Sequence, residues 1–187
     1  PYLHGEISPV ERLRVHAGLR YDNLRYRFDN DFAGAVAAAG NFYGQAGDTT
    51  VRYEHLSPKL GATWALTPDS HLFASYNHAF RAPSESQLFR PTRAASAPIA
   101  QANAQAALGL DPVKAEQAEI GLRGKLGTLT YNVSLYQLAK HDDILSYRDT
   151  ATNITQAVNA GETRHRGLEA GLGMPLGSQF RFDLSAS

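Results

Sequence analysis

Hydrophobic and polar residues alternate with a period of two along most of this chain, most clearly around the turn sequence Thr67-Pro68-Asp69-Ser70. Before the turn, every second residue is apolar, at Leu60, Ala62 and Trp64. After it, the alternation resumes with Leu72, Ala74, Tyr76 and Phe80. Because successive side chains of a strand point to opposite faces, this pattern predicts an antiparallel hairpin with one apolar and one polar surface.

The same alternation recurs along the chain and predicts about eight strands. The longest apolar set begins at Leu13 and ends at Tyr21, close to the roughly 9–11 residues that a tilted strand needs to cross a bilayer. Beyond it the apolar parity changes to Leu24, Tyr26 and Phe28, which indicates either a β-bulge or a strand that has left the membrane. The other predicted strands cover residues 2–7, 118–123, 129–136, 162–172 and 180–186.

The predicted connections alternate in length. Tight turns are expected at Ser8-Pro9-Val10-Glu11, near residue 68, at Gly124-Lys125-Leu126-Gly127 and at Pro175-Leu176-Gly177-Ser178. Long polar loops are expected between them, at about residues 29–50, 82–112 and 147–155, with a short helix at about 94–108. Short turns at one end and long loops at the other are typical of bacterial outer-membrane barrels.

Charged side chains lie in the middle of the predicted strands, opposite the apolar residues. They are Arg12, Arg14, Arg20, Lys59, Glu119, Arg123, Glu169, Arg181 and Asp183. Aromatic residues gather near the tight turns, where an interfacial girdle would lie: Trp64, Phe73, Phe180 and Phe182. A soluble β-sandwich also has a polar outer face, but its loops are usually short at both ends. The pattern therefore favours an all-β, up-and-down transmembrane barrel segment; the alternative is a soluble β-sandwich or lectin-like binding module, and membrane partitioning separates the two.

Composition excludes several functions. The chain has 18 basic and 18 acidic residues, so no nucleic-acid partner is expected. It contains no cysteine, which excludes disulfides and thiolate chemistry. No apolar run approaches the roughly 18 residues of a membrane helix. The sequence opens on Pro1 without a signal peptide, as if cut from a longer protein.

Few residues point to chemistry, and neither catalysis nor a cofactor is expected. His141-Asp142-Asp143 has no second histidine at metal-ligand spacing, so we interpret it as a polar rim and expect no metal site. Ser70 and His71 are adjacent in a strand and point to opposite faces, so they cannot form a nucleophile–base pair. His78 falls among the apolar positions, which indicates a rim position or a local bulge.

Several segments resemble the TonB-dependent outer-membrane receptors of Gram-negative bacteria. They are Leu56-Ser57-Pro58-Lys59-Leu60-Gly61, Phe73-Ala74-Ser75-Tyr76 with Phe80-Arg81-Ala82-Pro83, Ala118-Glu119-Ile120-Gly121-Leu122-Arg123, Asn159-Ala160-Gly161-Glu162 and Arg166-Gly167-Leu168-Glu169. Each segment alone is an ordinary strand or turn. Their order and spacing, from about residue 13 to residue 184, carry the resemblance.

The resemblance implies an outer-membrane barrel of about 22 strands with a plug domain inside it. It also implies nutrient uptake energised by TonB–ExbB–ExbD through the plug region. A ferric siderophore or similar iron complex is the expected cargo, and haem, cobalamin and some sugars are the other cargoes of such receptors. Residues 1–187 would be a partial barrel domain without the plug and the terminal strand. Because open strand edges are not tolerated in lipid, and a closed eight-stranded barrel would have a filled interior, we expect no transport by this chain alone.

In such a receptor, ligand would meet the extracellular mouth. The candidate ligand-binding residues are Arg81, Ser84, Gln87, Arg90, Arg93, Tyr147 and Arg148. Guanidinium groups pair bidentately with carboxylate or catecholate oxygens, and tyrosines stack on aryl groups. The alternative is a solvated loop that contacts lipopolysaccharide phosphates. The candidate barrel-interior residues, facing each other or the plug, are Arg12, Arg14, Arg20, Lys59, Glu119, Arg123 and Glu169.

Overall fold

The computed structural model describes residues 1–31, 42–150, 154–177 and 179–187. In chain order its elements are β1 (Tyr2–Val10), β2 (Leu13–Phe28), β3 (Phe42–Gly44), β4 (Thr49–Thr67), β5 (Ser70–Arg81), α1 (Glu85–Leu88), β6 (Thr92–Ala94), α2 (Ala97–Ala107), β7 (Val113–Leu126), β8 (Leu129–Asp149), β9 (Ile154–Leu176) and β10 (Phe180–Ala186). Eight of the strands form one antiparallel sheet in the order β1-β2-β4-β5-β7-β8-β9-β10. This meander confirms the predicted up-and-down barrel segment.

Strand register places the alternating apolar residues on one face of the sheet, called here the apolar face. One row across six strands runs Leu13, Trp64, Leu72, Leu122, Val133 and Ala170. The side chains of Leu19, Trp64 and Leu122 are 40%, 41% and 36% exposed. Within the described residues no second sheet covers them, because the eight strands form a single layer. The soluble β-sandwich alternative is therefore wrong.

The opposite surface, called here the polar face, carries the charged residues. One of its rows runs Arg14, Thr63, Phe73, Gly121, Ser134 and Glu169. Phe73 therefore faces away from lipid, and its assignment to the aromatic girdle is wrong. Its ring lies 5.3 Å from the Arg123 guanidinium carbon and only 2.4 Å from where a Cβ on Gly121 would be. The missing side chain of the glycine makes room for the ring.

Of the two explanations for the parity change in β2, the bulge is wrong. The β2–β4 register runs without a shift from Leu13 opposite Trp64 to Phe28 opposite Thr49. The change of parity places apolar residues on the polar face at the loop end of the strand. There Tyr26 packs against a buried cluster of Tyr53, Leu88 and Leu110, and the Phe28 ring stacks on that of Phe89.

Two predicted connections need correction. The strands β8 and β9 are 21 and 23 residues long, and Tyr147 pairs with Gln156 near their loop end. Most of the predicted loop at 147–155 is therefore strand; residues 151–153 lie outside the described residues, as does position 178 of the last predicted turn. At the first turn, β1 continues to Val10, with a register shift after Ile7.

The two other loops contain ordered structure. The predicted helix at 94–108 is confirmed as α2. In addition, β3 from the first loop pairs antiparallel with β6 from the second, which the sequence analysis did not predict. We call β3, β6 and α2 the loop cap. Ala94 and Ala100, 3% and 0% exposed, are buried inside it with Phe42 packed against them. Residues 32–41 of the first loop lie outside the described residues.

The sheet is open among the described strands. In the sheet order β1 and β10 are the two end strands, each hydrogen-bonded to one neighbour, and every residue of both strands is exposed. The described strands thus form a wall rather than a closed eight-stranded barrel. Neither described helix is long and apolar enough to cross a membrane.

Candidate functional site at the loop end of the wall

A cleft of about 410 Å³ lies between the second loop and the loop end of the β8–β9 hairpin. Three of the seven predicted ligand-binding residues line it: Ser84, Gln87 and Arg90. The hairpin contributes Gln156 and Asn159 on the other side. A volume of this size falls within the range of small-molecule sites. The structure therefore brings part of the predicted set together around one concave surface.

The short helix α1 positions the first side of the cleft. Pro83 and Leu88 are among the most deeply buried side chains of the chain and hold the helix against the wall. The Ser84 backbone N–H donates to Gln87 Oε1 at 2.8 Å, which satisfies a group left unpaired at the helix start. This bond fixes the Gln87 side chain at the edge of the cleft and leaves its amide NH₂ group without a part in the cap.

Asn159 of β9 fastens the end of the second loop to the wall. Its Oδ1 accepts a hydrogen bond from the Asp111 backbone N–H at 2.8 Å. Its Nδ2 donates to the Asp111 and Asp142 carbonyl oxygens at 2.9 and 2.8 Å. Asp142 has a φ of 57°, a conformation that non-glycine residues adopt rarely. Sequence reasoning missed Asn159, since only folding brings these three segments together.

The predicted arginine cluster is dispersed. Arg81 lies 3.9 Å from the Asp143 carboxylate, which also lies 3.9 Å from the Lys140 ammonium group. Arg93 belongs to β6, opposite Tyr43 in the loop cap, and its Nε atom is buried without a hydrogen-bond partner among the described residues. Neither Arg81 nor Arg93 lines the cleft.

Tyr147 and Arg148 lie in β8 rather than in a loop. The Tyr147 hydroxyl donates to Gln156 Oε1 at 3.0 Å, so it contacts the cleft only through a cleft residue. Arg148 lies opposite Thr155 in the β8–β9 ladder. The two residues flank the site from the outer part of the hairpin.

Neutral polar side chains dominate the lining of the cleft. Hydroxyl and amide groups come from Ser84, Ser86, Gln87, Thr92, Asn103, Ser146, Thr155, Gln156 and Asn159. Arg90 is the one charged side chain among the described lining residues. The surface therefore offers many hydrogen-bond donors and acceptors and a single positive charge.

Six of the seven predicted interior residues lie in strands on the polar face. The mid-strand assignment of Arg12 is wrong, because this residue lies in the turn between β1 and β2. Lys59 and Glu119 lie opposite Gly18 and Ser75 in its rows, and Glu169 lies opposite Ser134. Arg20 pairs with Asp22 at 2.8 Å. Strand register therefore fixes the face on which these residues lie. Among the described residues, no contact gives them a partner outside the eight-stranded sheet.

A second cavity of about 520 Å³ lies on the polar face near the tight turns. Arg12, Arg14 and Arg123 line it together with Glu6, Glu11, His16 and His71. Arg14 lies 3.3 Å from Glu6, and the Arg12 carbonyl oxygen accepts from the Ala65 N–H at 2.8 Å. The two histidines were missed because a lone histidine on a polar strand face gives no distinctive sequence signal.

The His141-Asp142-Asp143 segment lies at the loop end of β8, where ion pairs hold it. Asp142 lies 3.7 Å from the Lys114 ammonium group, and Asp143 lies beside Arg81 and Lys140. Across the described ranges, no group of three His, Asp or Glu side chains is arranged to hold a metal ion.

The remaining histidines are explained by register. Ser70 and His71 lie opposite Gly124 and Arg123 on different faces, and Ser70 Oγ accepts from the Tyr131 hydroxyl at 2.7 Å. The β5–β7 ladder has no register shift at His78, yet the His78 ring lies 4.8 Å from that of His55, which lies opposite Asp22 on the polar face. Phe80, predicted on the apolar face, also stacks on His55 and packs against the buried cluster, so that assignment is wrong. The β4–β5 pairing ends at Lys59 opposite Asn77, next to Pro58, which has no N–H to donate.

Comparisons with known proteins agree with this architecture. A family model described as "TonB dependent receptor-like, beta-barrel" matches residues 1–187. The structure of the copper transporter OprC is 25% identical, with a TM-score of 0.75, and the match covers 98% of this chain and 26% of that one. The FrpB iron transporter from Neisseria meningitidis, in its apoprotein form, is 21% identical with a TM-score of 0.59, covering 94% of this chain and 23% of that one.

A third solved structure is the Serratia marcescens hemophore receptor HasR, a double mutant in complex with its hemophore HasA and heme. It is 18% identical with a TM-score of 0.68, and the match covers 98% of this chain and 32% of that one. At this identity the likeness to FrpB and HasR shows the fold alone. The chain spans between about a quarter and a third of the length of these three structures.

Proposed function

The chain belongs to the TonB-dependent receptor β-barrel family, and from this membership we propose that it is part of a receptor that takes up a ferric siderophore or a similar iron complex. The family consists of outer-membrane transport receptors rather than enzymes, and the chain is an outer-membrane protein. Residues 1–187 are a partial barrel domain in this proposal. Uptake is energised by TonB–ExbB–ExbD through a plug region.

The two-faced wall is the observation that carries the proposal. Its apolar face presents large exposed side chains across the sheet, including Leu60, Ile120 and Leu135 at 53%, 50% and 56% exposure. Such a surface is stable against acyl chains and would aggregate in water. Its polar face carries ion pairs and charged residues, which suit a hydrated interior that holds a plug and passes a polar cargo.

The open edges explain why this wall works only within a larger barrel. Unpaired backbone groups at β1 and β10 would each be costly in hydrocarbon, by several kcal/mol per group. Further strands that pair with both edges remove this cost and widen the interior beyond a side-chain-filled core. The isolated chain is therefore not a transporter.

The chain lacks the sulfur ligands that a Cu(I) site would need. The related structures include an iron transporter, a receptor bound to its hemophore and heme, and a copper transporter. Thiolate and thioether sulfur are the ligands that select Cu(I). This chain has no cysteine and one methionine, Met174, which lies opposite Phe182 near a tight turn and far along β9 from the cleft. The surface offered to cargo is thus a hydrogen-bonding one.

Loop-end residues outside the cleft have a second role in the proposal. Arg25 and Arg52 lie opposite each other beyond Tyr21 and Leu56, the last apolar pair of the β2–β4 ladder on the apolar face. Arg52 also lies 3.9 Å from Glu54. At that height a cationic pair meets the lipopolysaccharide phosphates of the outer leaflet.

Iron-limited growth of a Gram-negative strain tests the proposal. The strain lacks its own receptors and expresses the full-length receptor that contains this chain. We expect growth and radioactive iron accumulation with at least one of three supplied complexes: ferrichrome, ferric enterobactin or haem. Both should disappear when TonB is deleted. Iron accumulation that persists without TonB would contradict the proposal, and so would the absence of accumulation with all three complexes. TonB-driven uptake by liposomes that carry residues 1–187 alone would contradict the requirement for a larger barrel.

A further inference from the structure

The charge of the cleft restricts its cargo. Arg90, itself exposed, is the one charged side chain among the described lining residues. Opposite it, the hairpin presents the neutral groups of Ser146, Thr155 and Gln156. A cargo seated here meets one positive charge and a surface of amides and hydroxyls.

Three cations near the cleft lie beside carboxylates. Arg81 and Lys140 both lie 3.9 Å from Asp143, and Lys114 lies 3.7 Å from Asp142. None of these three cations lines the cleft. Because each of these cations lies beside a carboxylate, the pairs add little net positive charge at the rim.

From this arrangement we propose, resting on the proposed function, that the cleft receives a neutral iron complex of the tris-hydroxamate class. A ferric tris-catecholate carries a triple negative charge, and a partly enclosed site with one cation leaves most of that charge unpaired. A neutral tris-hydroxamate complex presents carbonyl, amide and hydroxyl groups at its surface. The amide and hydroxyl groups of the cleft match these as donors and acceptors.

Asn103 and Arg90 separate hydrogen bonding from charge in this site. Asn103 lies on the face of α2 that lines the cleft, and it is partly buried there. Gln105, two residues along the same helix, is exposed and does not line the cleft. Asn103→Ala therefore removes a donor and acceptor from the cleft, Arg90→Gln removes its charge, and Gln105→Ala is the matched control.

Calorimetric titration of the purified full-length receptor with ferrichrome and with ferric enterobactin tests the proposal. We expect ferrichrome to bind and ferric enterobactin to bind at least tenfold more weakly. Asn103→Ala should weaken ferrichrome binding by about fivefold to tenfold, the effect of one net hydrogen bond. Arg90→Gln should change it by less than about threefold, because a neutral cargo has no net charge for the guanidinium group to attract. Gln105→Ala should leave it unchanged.

Tighter binding of ferric enterobactin than of ferrichrome would overturn the inference. A loss of ferrichrome binding in Arg90→Gln would also overturn it. Equal effects of Asn103→Ala and Gln105→Ala would do the same, provided that all variants retain the heat-modifiable migration of a folded barrel. TonB-dependent uptake of enterobactin or haem without ferrichrome overturns this inference alone. Uptake of none of the three complexes overturns the proposed function as well.

Discussion

Gly44 is the position at which one added methyl group should disturb the loop cap. This glycine is buried in β3 and lies directly against α2. A Cβ built on it would be 2.0 Å from the Ala100 carbonyl oxygen and 2.5 Å from the Gln101 nitrogen. Both are backbone atoms of a helix, so no side-chain rotation can relieve the contact. Gly44→Ala therefore requires movement of the helix itself.

The size of the effect follows from the contacts that this movement breaks. Restoring an ordinary 3.4 Å contact from 2.0 Å requires a displacement of about 1.4 Å. Two hydrogen bonds depend on the present position of α2: Thr92 Oγ1 to the Ala100 carbonyl oxygen at 2.6 Å, and Gln101 Nε2 to the Gln45 carbonyl oxygen at 2.9 Å. Overpacking of a tight site costs about 1–3 kcal/mol, and each bond contributes about 1 kcal/mol. We expect the cap to lose about 2–4 kcal/mol.

Hydrogen exchange on the full-length receptor measures this loss directly. A change of 2–4 kcal/mol corresponds to roughly 30-fold to 1,000-fold faster exchange of the α2 amides if they exchange by opening of the cap. Gly47→Ala is the matched control, because a Cβ on Gly47 meets nothing within 4 Å. It should leave exchange unchanged or slow it slightly. Equal protection of α2 in the two variants would refute the reasoning.

Three further predictions concern the wall. Leu60 lies on the apolar face and is 53% exposed. Leu60→Arg should therefore lower the free energy of unfolding of the receptor in lipid vesicles by about 2–4 kcal/mol, measured by urea titration, whereas Lys59→Arg on the polar face should not change it. Equal effects of the two substitutions would argue against lipid contact. Gly121→Ala should reduce the folded fraction on semi-native gels, because its Cβ would lie 2.6 Å from a backbone oxygen. Gly161→Ala is the control, since a Cβ there meets nothing within 4 Å. Identical folded fractions of the two variants would contradict the prediction. Asn159→Ala removes three hydrogen bonds and should open the loop end of the cleft, seen as faster exchange of the Asp111 and Val113 amides. Unchanged exchange of these amides would show that water replaces the lost bonds.

The strands could be predicted from sequence because their environment has two sides. One face meets lipid and the other a hydrated interior, so hydrophobicity alternates with the pleat and marks each strand without any knowledge of its neighbours. Leu13, Leu19 and Leu122 were assignable in this way, and they are exposed on the apolar face. The helix α2 was also predictable, since its Ala- and Gln-rich segment has high helix propensity.

The same rule fails where the two-sided environment ends. At the loop end of β2, Tyr26 lies on the polar face and packs against loop residues there. The sequence analysis interpreted this change of parity as a bulge or as a strand outside the membrane. Phe73 lies near a tight turn, yet its ring is turned to the polar face toward Arg123. The third loop was overestimated because β8 and β9 remain paired beyond the apolar residues, where periodicity gives no signal.

By itself, the sequence determines that this chain is a set of two-faced strands and which side chains share each face, because alternation is a local property of the backbone. Which residues meet at the loop end is decided only by tertiary structure. The cleft is lined by Ser84, Gln87 and Arg90 but not by Arg81 or Arg93. This difference arises because the path of each loop is set by the packing of α1, the pairing of β3 with β6 and the hydrogen bonds of Asn159. These contacts join segments far apart in sequence, and no spacing along the chain encodes their distance.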